Sequence, residues 1–124
     1  MVEPYDAALL ENCEKEIIDK GGHIFFGKLN GVIIGTYALL APKNGCVEIG
    51  KMAITAEHQG NGYGQQLIKH AISTSAALGN KEMLLYSNRK LENSIYIYRK
   101  FGFKEVPISN SPYERGNIKM LLKL

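Results

Sequence analysis

Apolar and polar residues recur along this chain with periods that change from segment to segment. Over 6–22, "DAALLENCEKEIIDKGG", the residues Leu9, Leu10, Cys13 and Ile17 share one helical face. Asp6 is placed to cap that helix, and Gly21 and Gly22 to stop it in the left-handed conformation. Two runs rich in β-branched and aromatic residues follow, "HIFFGKL" and "VIIGTYALLA", and predict strands. Asn30 and Gly31 between them are the strongest short hairpin signal. "PKNG" at 42–45 predicts another turn and "CVEIGKMAIT" a third strand, so 23–55 reads as an antiparallel meander. The helical period returns at Leu67, Ile68, Ala71, Ile72, Ser75 and Leu78, and Gly79 with Asn80 ends it. "EMLLYS" at 82–87 is a short apolar strand. A strand, helix and strand at this spacing predict that 46–55 and 82–87 lie parallel and adjacent. "LENSIYIYRKF" predicts a third helix stopped by Gly102, "FKEVPI" and "NIKMLLKL" the last strands, and "SNSPYERG" the loop between them.

These elements fill one domain, since the chain has 124 residues. An apolar fraction of 45% supports a packed core. The net charge of +3 is small and evenly spread. It is too weak to argue for nucleic acid, so no nucleic-acid partner is expected, and it mildly favours an anionic ligand. No run approaches the roughly 20 apolar residues of a membrane span, and no leader is evident, so the expected location is cytoplasmic, without a membrane partner. Cys13 and Cys46 lack metal-like spacing and read as reduced thiols. His23 begins a strand, His58 stands in a loop, and His70 is expected on the polar side of its helix; no two have ligand spacing, so no metal is expected.

The segment "EHQGNGYGQQL", 57–67, sets Gly60, Gly62 and Gly64 at every second position between a strand and a helix. A helix N-terminus leaves about four N–H groups unpaired and carries roughly half a positive charge. Glycines let an anion approach that backbone, so the loop reads as a phosphate cradle. The dinucleotide fingerprint would need glycine at 65 or 67, where Gln65 and Leu67 stand, and the Walker pattern a lysine after its last glycine, where Gln65 stands. What remains is Gln59-x-x-Gly62-x-Gly64.

"NSIYIYRKFGF", 93–103, adds a second pattern: Ser94, Ile95, Ile97, Tyr98, then Gly102 and Phe103. In this order and at this separation, the two motifs resemble those of the GNAT superfamily of acetyl-CoA-dependent N-acetyltransferases, over roughly 6–124. The resemblance implies an α/β (α+β) domain, 1–124, with a mixed, mostly antiparallel sheet splayed at a parallel strand pair and flanked by helices. It also implies acetyl-CoA as co-substrate, with no metal. Carried over, the pyrophosphate cradle is Gln59, Gly60, Asn61, Gly62, Tyr63 and Gly64, with Gln65 at the helix start. The pantetheine arm would run beside Met52, Ala53 and Ile54, bonding their backbone. Asn88 is a candidate coenzyme contact, because Leu91 stands where the family usually has asparagine; Asn93 is the other substitute.

Acetyl transfer to an amine sets three demands. The amine must lose a proton, which costs about 4.6 kcal/mol at pH 7 for a lysine-like group. The thioester oxygen must be stabilised as charge builds on it. The thiolate must leave, helped by an acid. Glu48, a carboxylate in an apolar strand, matches a glutamate that serves as base in some members; alternation puts it on the face of Gly50 and Met52. Tyr98 matches the tyrosine that many members point at the coenzyme sulfur. Tyr96 lies on another helical face and reads as packing or acceptor lining.

This chain has almost nothing ahead of Asp6, so the family's first strand is expected to be missing, shortened, replaced or borrowed from another subunit. Loop 109–116, with Tyr113 and Arg115, would then carry more of the acceptor site. The acceptor is expected to be a primary amine of a small molecule or peptide, attacking directly in a ternary complex. A sheet surface exposed by a short N-terminus would favour a homodimer. Two rival readings keep the cradle: a non-catalytic acyl-CoA-binding sensor or interaction domain, and a module for another diphosphate.

Overall fold

Two Asn-Gly pairs shape the first half of the chain. Asn30 and Gly31 have φ of 52° and 80°, and Asn44 and Gly45 have φ of 53° and 77°. Two successive left-handed residues make the tight turn whose twist matches that of paired strands. The result is the meander β2 (His23–Leu29), β3 (Val32–Leu39) and β4 (Cys46–Ile54), antiparallel throughout. The computed structural model describes residues 2–4, 12–108 and 116–124. The capping residue Asp6, the apolar Leu9 and Leu10, the side chain of Cys13, and the loop residues Tyr113 and Arg115 lie outside the described residues.

The remaining elements are β1 (Val2–Pro4), α1 (Asn12–Asp19), α2 (Tyr63–Ala77), β5 (Glu82–Ser87), α3 (Glu92–Lys100), β6 (Lys104–Val106) and β7 (Ile118–Lys123). They form a seven-stranded sheet of order β1-β2-β3-β4-β5-β7-β6. Among the described strands only β4 and β5 pair in parallel, as the strand–helix–strand spacing predicts. The first strand is present but short. β1 has three residues and pairs along the edge with 25–27 of β2.

The three described α-helices end in the same way. Gly21, Gly79 and Gly102 have φ of 93°, 89° and 101°. At each, the glycine N–H bonds three residues back and the next N–H bonds five back: Gly22 to Ile17 O at 2.8 Å, Asn80 to Ser75 O at 3.1 Å, Phe103 to Tyr98 O at 3.0 Å. This Schellman closure needs a left-handed residue, which glycine supplies without strain. Gly22 has a different constraint. A Cβ there would lie 2.7 Å from Ile17 Cγ2 and 2.7 Å from Leu39 O. Gly22→Ala is therefore expected to lower stability by about 1–3 kcal/mol, read by denaturant unfolding.

Alternation divides the sheet into two faces. Phe25, Tyr37, Leu39, Val47, Ile49, Met83, Leu85, Ile118 and Met120 join Leu67 and Ala71 of α2 in one buried cluster. Ile95 and Tyr98 of α3 pack against the same cluster. Ile24, Phe26 and Ala38 are buried on the reverse face, where α1 lies against β2. His70 departs from the expected polar side of α2. Its Nδ1 lies 2.6 Å from the hydroxyl of fully buried Tyr37, and its ring meets Phe25 edge-on. Burial pushes the Tyr37 hydroxyl up and the His70 imidazole down, so this is a contact between two neutral groups. A buried hydroxyl needs a partner, and His70 is that partner.

Candidate functional site

The parallel pairing of β4 with β5 runs from Cys46↔Glu82 to Glu48↔Leu84 and then stops, although both strands continue. A bulge accompanies the separation. β4 pairs with β3 at Leu39↔Ile49 and Ala38↔Gly50, then resumes one residue out of step at Thr36↔Ala53 and Gly35↔Ile54. The extra residue is accommodated at Lys51, whose φ is 51°. A non-glycine residue in that region costs roughly 1–2 kcal/mol. Bulges add twist and bend their strand, so the outer half of β4 swings away from β5. The opening is a cleft of about 330 Å³, walled by Gly50, Lys51 and Met52 on one side and Leu85, Tyr86 and Ser87 on the other.

The bulge also reverses the alternation. Val47 and Ile49 lie in the core cluster, and beyond the bulge Met52 and Ile54 pack against that same cluster. Glu48 therefore shares a face with Gly50, where an added Cβ would lie 4.0 Å from Glu48 Oε2, but not with Met52 as strict alternation had it. Glu48 serves the reverse face of the sheet, and Met52 the face of α2 and α3. Glu48 does not itself line the cleft; it stands behind Gly50, which does.

After β4, a short turn at Ala56–His58 leads into the glycine loop. The loop is tied back by its own side chains. Gln59 Nε2 donates to Ile54 O at 3.0 Å, and Thr55 Oγ1 lies 2.8 Å from His58 Nδ1. Gly60 and Gly62 have φ of 82° and 80°, a conformation other residues adopt only with strain. Gly64 has no such φ, and a Cβ on it would meet nothing within 4 Å. Neither backbone nor packing demands glycine at 64, so its bareness leaves the surface there open. Gly62 is the N-cap of α2 and makes no side-chain cap. The first-turn N–H groups therefore face outward with the positive end of a 15-residue helix behind them.

Between this cradle and α3 runs a groove of about 800 Å³. Met52, Ala53, Ile54, Gln59, Gly60, Gly62, Tyr63, Gly64 and Gln65 line one side, and Leu91, Asn93, Ser94, Tyr96, Ile97 and Tyr98 the other. Groove and cleft meet at Met52, Leu91 and Tyr98, which line both. Of the predicted cofactor residues, two fall elsewhere. Asn61 is not in the groove wall, and its amide donates to His58 O at 3.4 Å. Asn88 lines the cleft instead, and its Oδ1 accepts the Lys90 N–H at 2.9 Å in the turn that starts α3. Asn93 is the asparagine that reaches the groove. Tyr96 is 70% exposed and lines the groove, so it is not a packing residue. His58, Ile68, Ser94 and Ile97 complete the wall. The i, i+4 spacing of Ser94 with Tyr98 and of Asn93 with Ile97 was the available signal for α3.

The "Gly-Phe" of the second motif has a structural reason. Gly102 closes α3 and brings Phe103 back against Tyr98, ring centroids 6.0 Å apart and edge-to-face. The helix stop thus orients the tyrosine at the junction. Burial pushes the Tyr98 hydroxyl up from its ordinary value, so it holds its proton. The start of α3 is pinned as well: the Arg89 N–H donates to Asn117 Oδ1 at 2.8 Å, and the Arg89 guanidinium pairs with Glu105 of β6. Among the described residues, no helix is long and apolar enough to cross a membrane.

Comparison with known proteins agrees with this geometry. The Acetyltransferase (GNAT) family matches residues 2–103. The chain is 29% identical over 105 residues to the uncharacterized N-acetyltransferase YvbK of Bacillus subtilis, covering 82% of this chain and 68% of that one. A GNAT family acetyltransferase from Elizabethkingia anophelis, crystallised with acetyl-CoA bound, superimposes with a TM-score of 0.82 at 25% identity, covering 100% of this chain and 97% of the other. An IAA acetyltransferase from Bacillus cereus has the same fold, with a TM-score of 0.85 at 19% identity, 100% of this chain and 99% of that one being covered. A cradle ahead of α2, a parallel pair splayed by a bulge and a tyrosine at the junction are thus joined to a family match over most of the chain, which belongs to the GNAT acetyltransferase family.

Proposed function

We propose that this protein transfers acetyl from acetyl-CoA to a primary amine by direct attack in a ternary complex. The observation that carries this reading is the meeting of groove and cleft at Tyr98, so that one ligand in the groove and another in the cleft would touch there. The residues present fit the donor. The open surface over Gly60, Gly62 and Gly64 and the outward N–H groups of α2 would hold its pyrophosphate. Thr55 N–H donates to Ile34 O at 2.8 Å, so the neighbouring Ile54 turns its backbone to the open edge, where an extended arm would lie. When bound, acetyl-CoA supplies an activated thioester.

The protein's own groups do the rest. Glu48 takes the proton of the incoming ammonium, directly or through water. The backbone N–H groups at the bulge stabilise developing negative charge. Tyr98 donates a hydrogen bond to the departing sulfur. Its raised pKa makes complete proton transfer to a thiolate of ordinary pKa unfavourable, so its contribution is that donor bond. Holding both partners in one junction supplies much of the gain.

Calorimetry with acetyl-CoA, followed by thiol release with a panel of primary amines, tests the reading. Micromolar binding and amine-dependent release are expected. Glu48→Gln should leave donor binding intact and lower kcat by about 100-fold. Binding without release for every amine would make the chain an acyl-CoA sensor. No binding would remove the donor site itself.

A further inference from the structure

The cleft between β4 and β5 has one charged side chain among its described lining residues, Lys51. The rest of the wall is aliphatic, aromatic, hydroxyl or amide. Lys51 is also one of only three described non-glycine residues with positive φ. The other two, Asn30 and Asn44, are asparagines directly before a glycine in tight turns, where that residue type fits. Lysine has no such excuse: its side chain makes no local bond that compensates the left-handed backbone. It is exposed and makes no ion pair among the described residues. The bulge sets the backbone at this position, and the residue that occupies it puts a cation in the wall of the cleft. A second positive charge stands behind the opposite wall. Lys119 Nζ lies 5.8 Å from the ring centroid of Tyr86, which lines the same cleft.

We propose that Lys51 recognises an anionic group on the acceptor, so that the acceptor is an amine that also carries a carboxylate. This rests on the cleft being the acceptor site. Lys51 follows Glu48 by three residues on the same strand. A carboxylate there would serve the amine end of such a molecule, and the Lys51 ammonium its acid end. A polyamine would instead bring a second positive charge against Lys51. The cation in the cleft wall thus favours an acceptor that carries an anion over a polycation.

The test is binding of N-acetylglycine and N-acetylglycinamide, in the presence of coenzyme A, followed by calorimetry. These product analogues differ only in the charge of the acid end and need no turnover. The wild type should favour the acid by about tenfold or more, the usual range for a charge-assisted bond. Lys51→Arg should retain that preference. Lys51→Gly should bring the acid-to-amide ratio close to one, while thermal unfolding shows the variant at least as stable as the wild type, because glycine relieves the strain. That gain in stability separates loss of the charge from loss of the fold. Equal binding of acid and amide by the wild type, or a ratio unmoved in Lys51→Gly, would overturn the proposal. Acid preference in a protein that acetylates no amine would leave the anion site standing and sink the enzyme reading instead.

Discussion

Gly64→Glu is expected to make the protein more stable and unable to bind acetyl-CoA. The two effects have separate origins. Gly64 lies in the first turn of α2 without a left-handed φ, and a Cβ there meets nothing within 4 Å. Any ordinary side chain therefore fits the folded backbone. Glycine costs about 1 kcal/mol in a helix relative to good helix formers, and an acidic group in the first turn gains a few tenths more from the helix dipole. The melting temperature should rise. The same carboxylate would stand where the pyrophosphate is proposed to lie, adding bulk and like charge to a surface whose use depends on bare backbone. Donor binding should weaken by about 100-fold or more. Gly62→Arg would also fill the cradle, but its φ of 80° would cost stability and blur the interpretation. Unchanged affinity in a more stable Gly64→Glu protein would mean that the glycines only shape a turn.

The second large effect is expected at Tyr98. Tyr98→Phe keeps the ring, and with it the edge-to-face contact with Phe103 and the packing against the core. Only the donor hydroxyl is lost. The fold and donor affinity should persist while kcat falls by about 100-fold, the lower range for a positioned acid. The pH dependence adds a check. Burial raises the hydroxyl above the ordinary tyrosine value near 10, so the phenol stays protonated throughout the neutral and mildly alkaline range. The deficit of Tyr98→Phe should therefore be constant from pH 7 to about 9. Wild-type kcat should show no downward limb there from this residue. A deficit that shrinks steadily with rising pH over that range would assign the hydroxyl a different role.

How much of this could be read from the chain depends on whether a local residue forces the geometry. Gly21, Gly79 and Gly102 end their helices where expected because each must be left-handed. Asn30 with Gly31 and "PKNG" gave their turns for the same reason. The parallel β4–β5 pair followed from handed connections between adjacent elements. The bulge did not show, because lysine is not the residue that a left-handed bulge position favours. That one extra residue put Met52 and Glu48 on opposite faces. The insertion of β7 between β5 and β6 is set by long-range pairing that no local pattern encodes. His70 reads as polar in sequence because its partner, the Tyr37 hydroxyl, is 33 residues away. The glycine cradle and Tyr98 were legible as motifs. The α3 wall, from Asn93 to Ile97, was not fully so, because helical spacing alone does not say which side faces a groove and which the core.

The most direct test of acetyl transfer in a ternary complex is an initial-velocity study with both substrates varied. Acetyl-CoA carrying a labelled acetyl group would be supplied with an accepted amine, and free thiol and labelled amide counted together. Equal amounts of the two products and reciprocal plots that intersect are expected, with no label retained on the protein. Parallel plots, with one labelled acetyl per chain held on Cys46 or another residue before amine is added, would contradict direct attack.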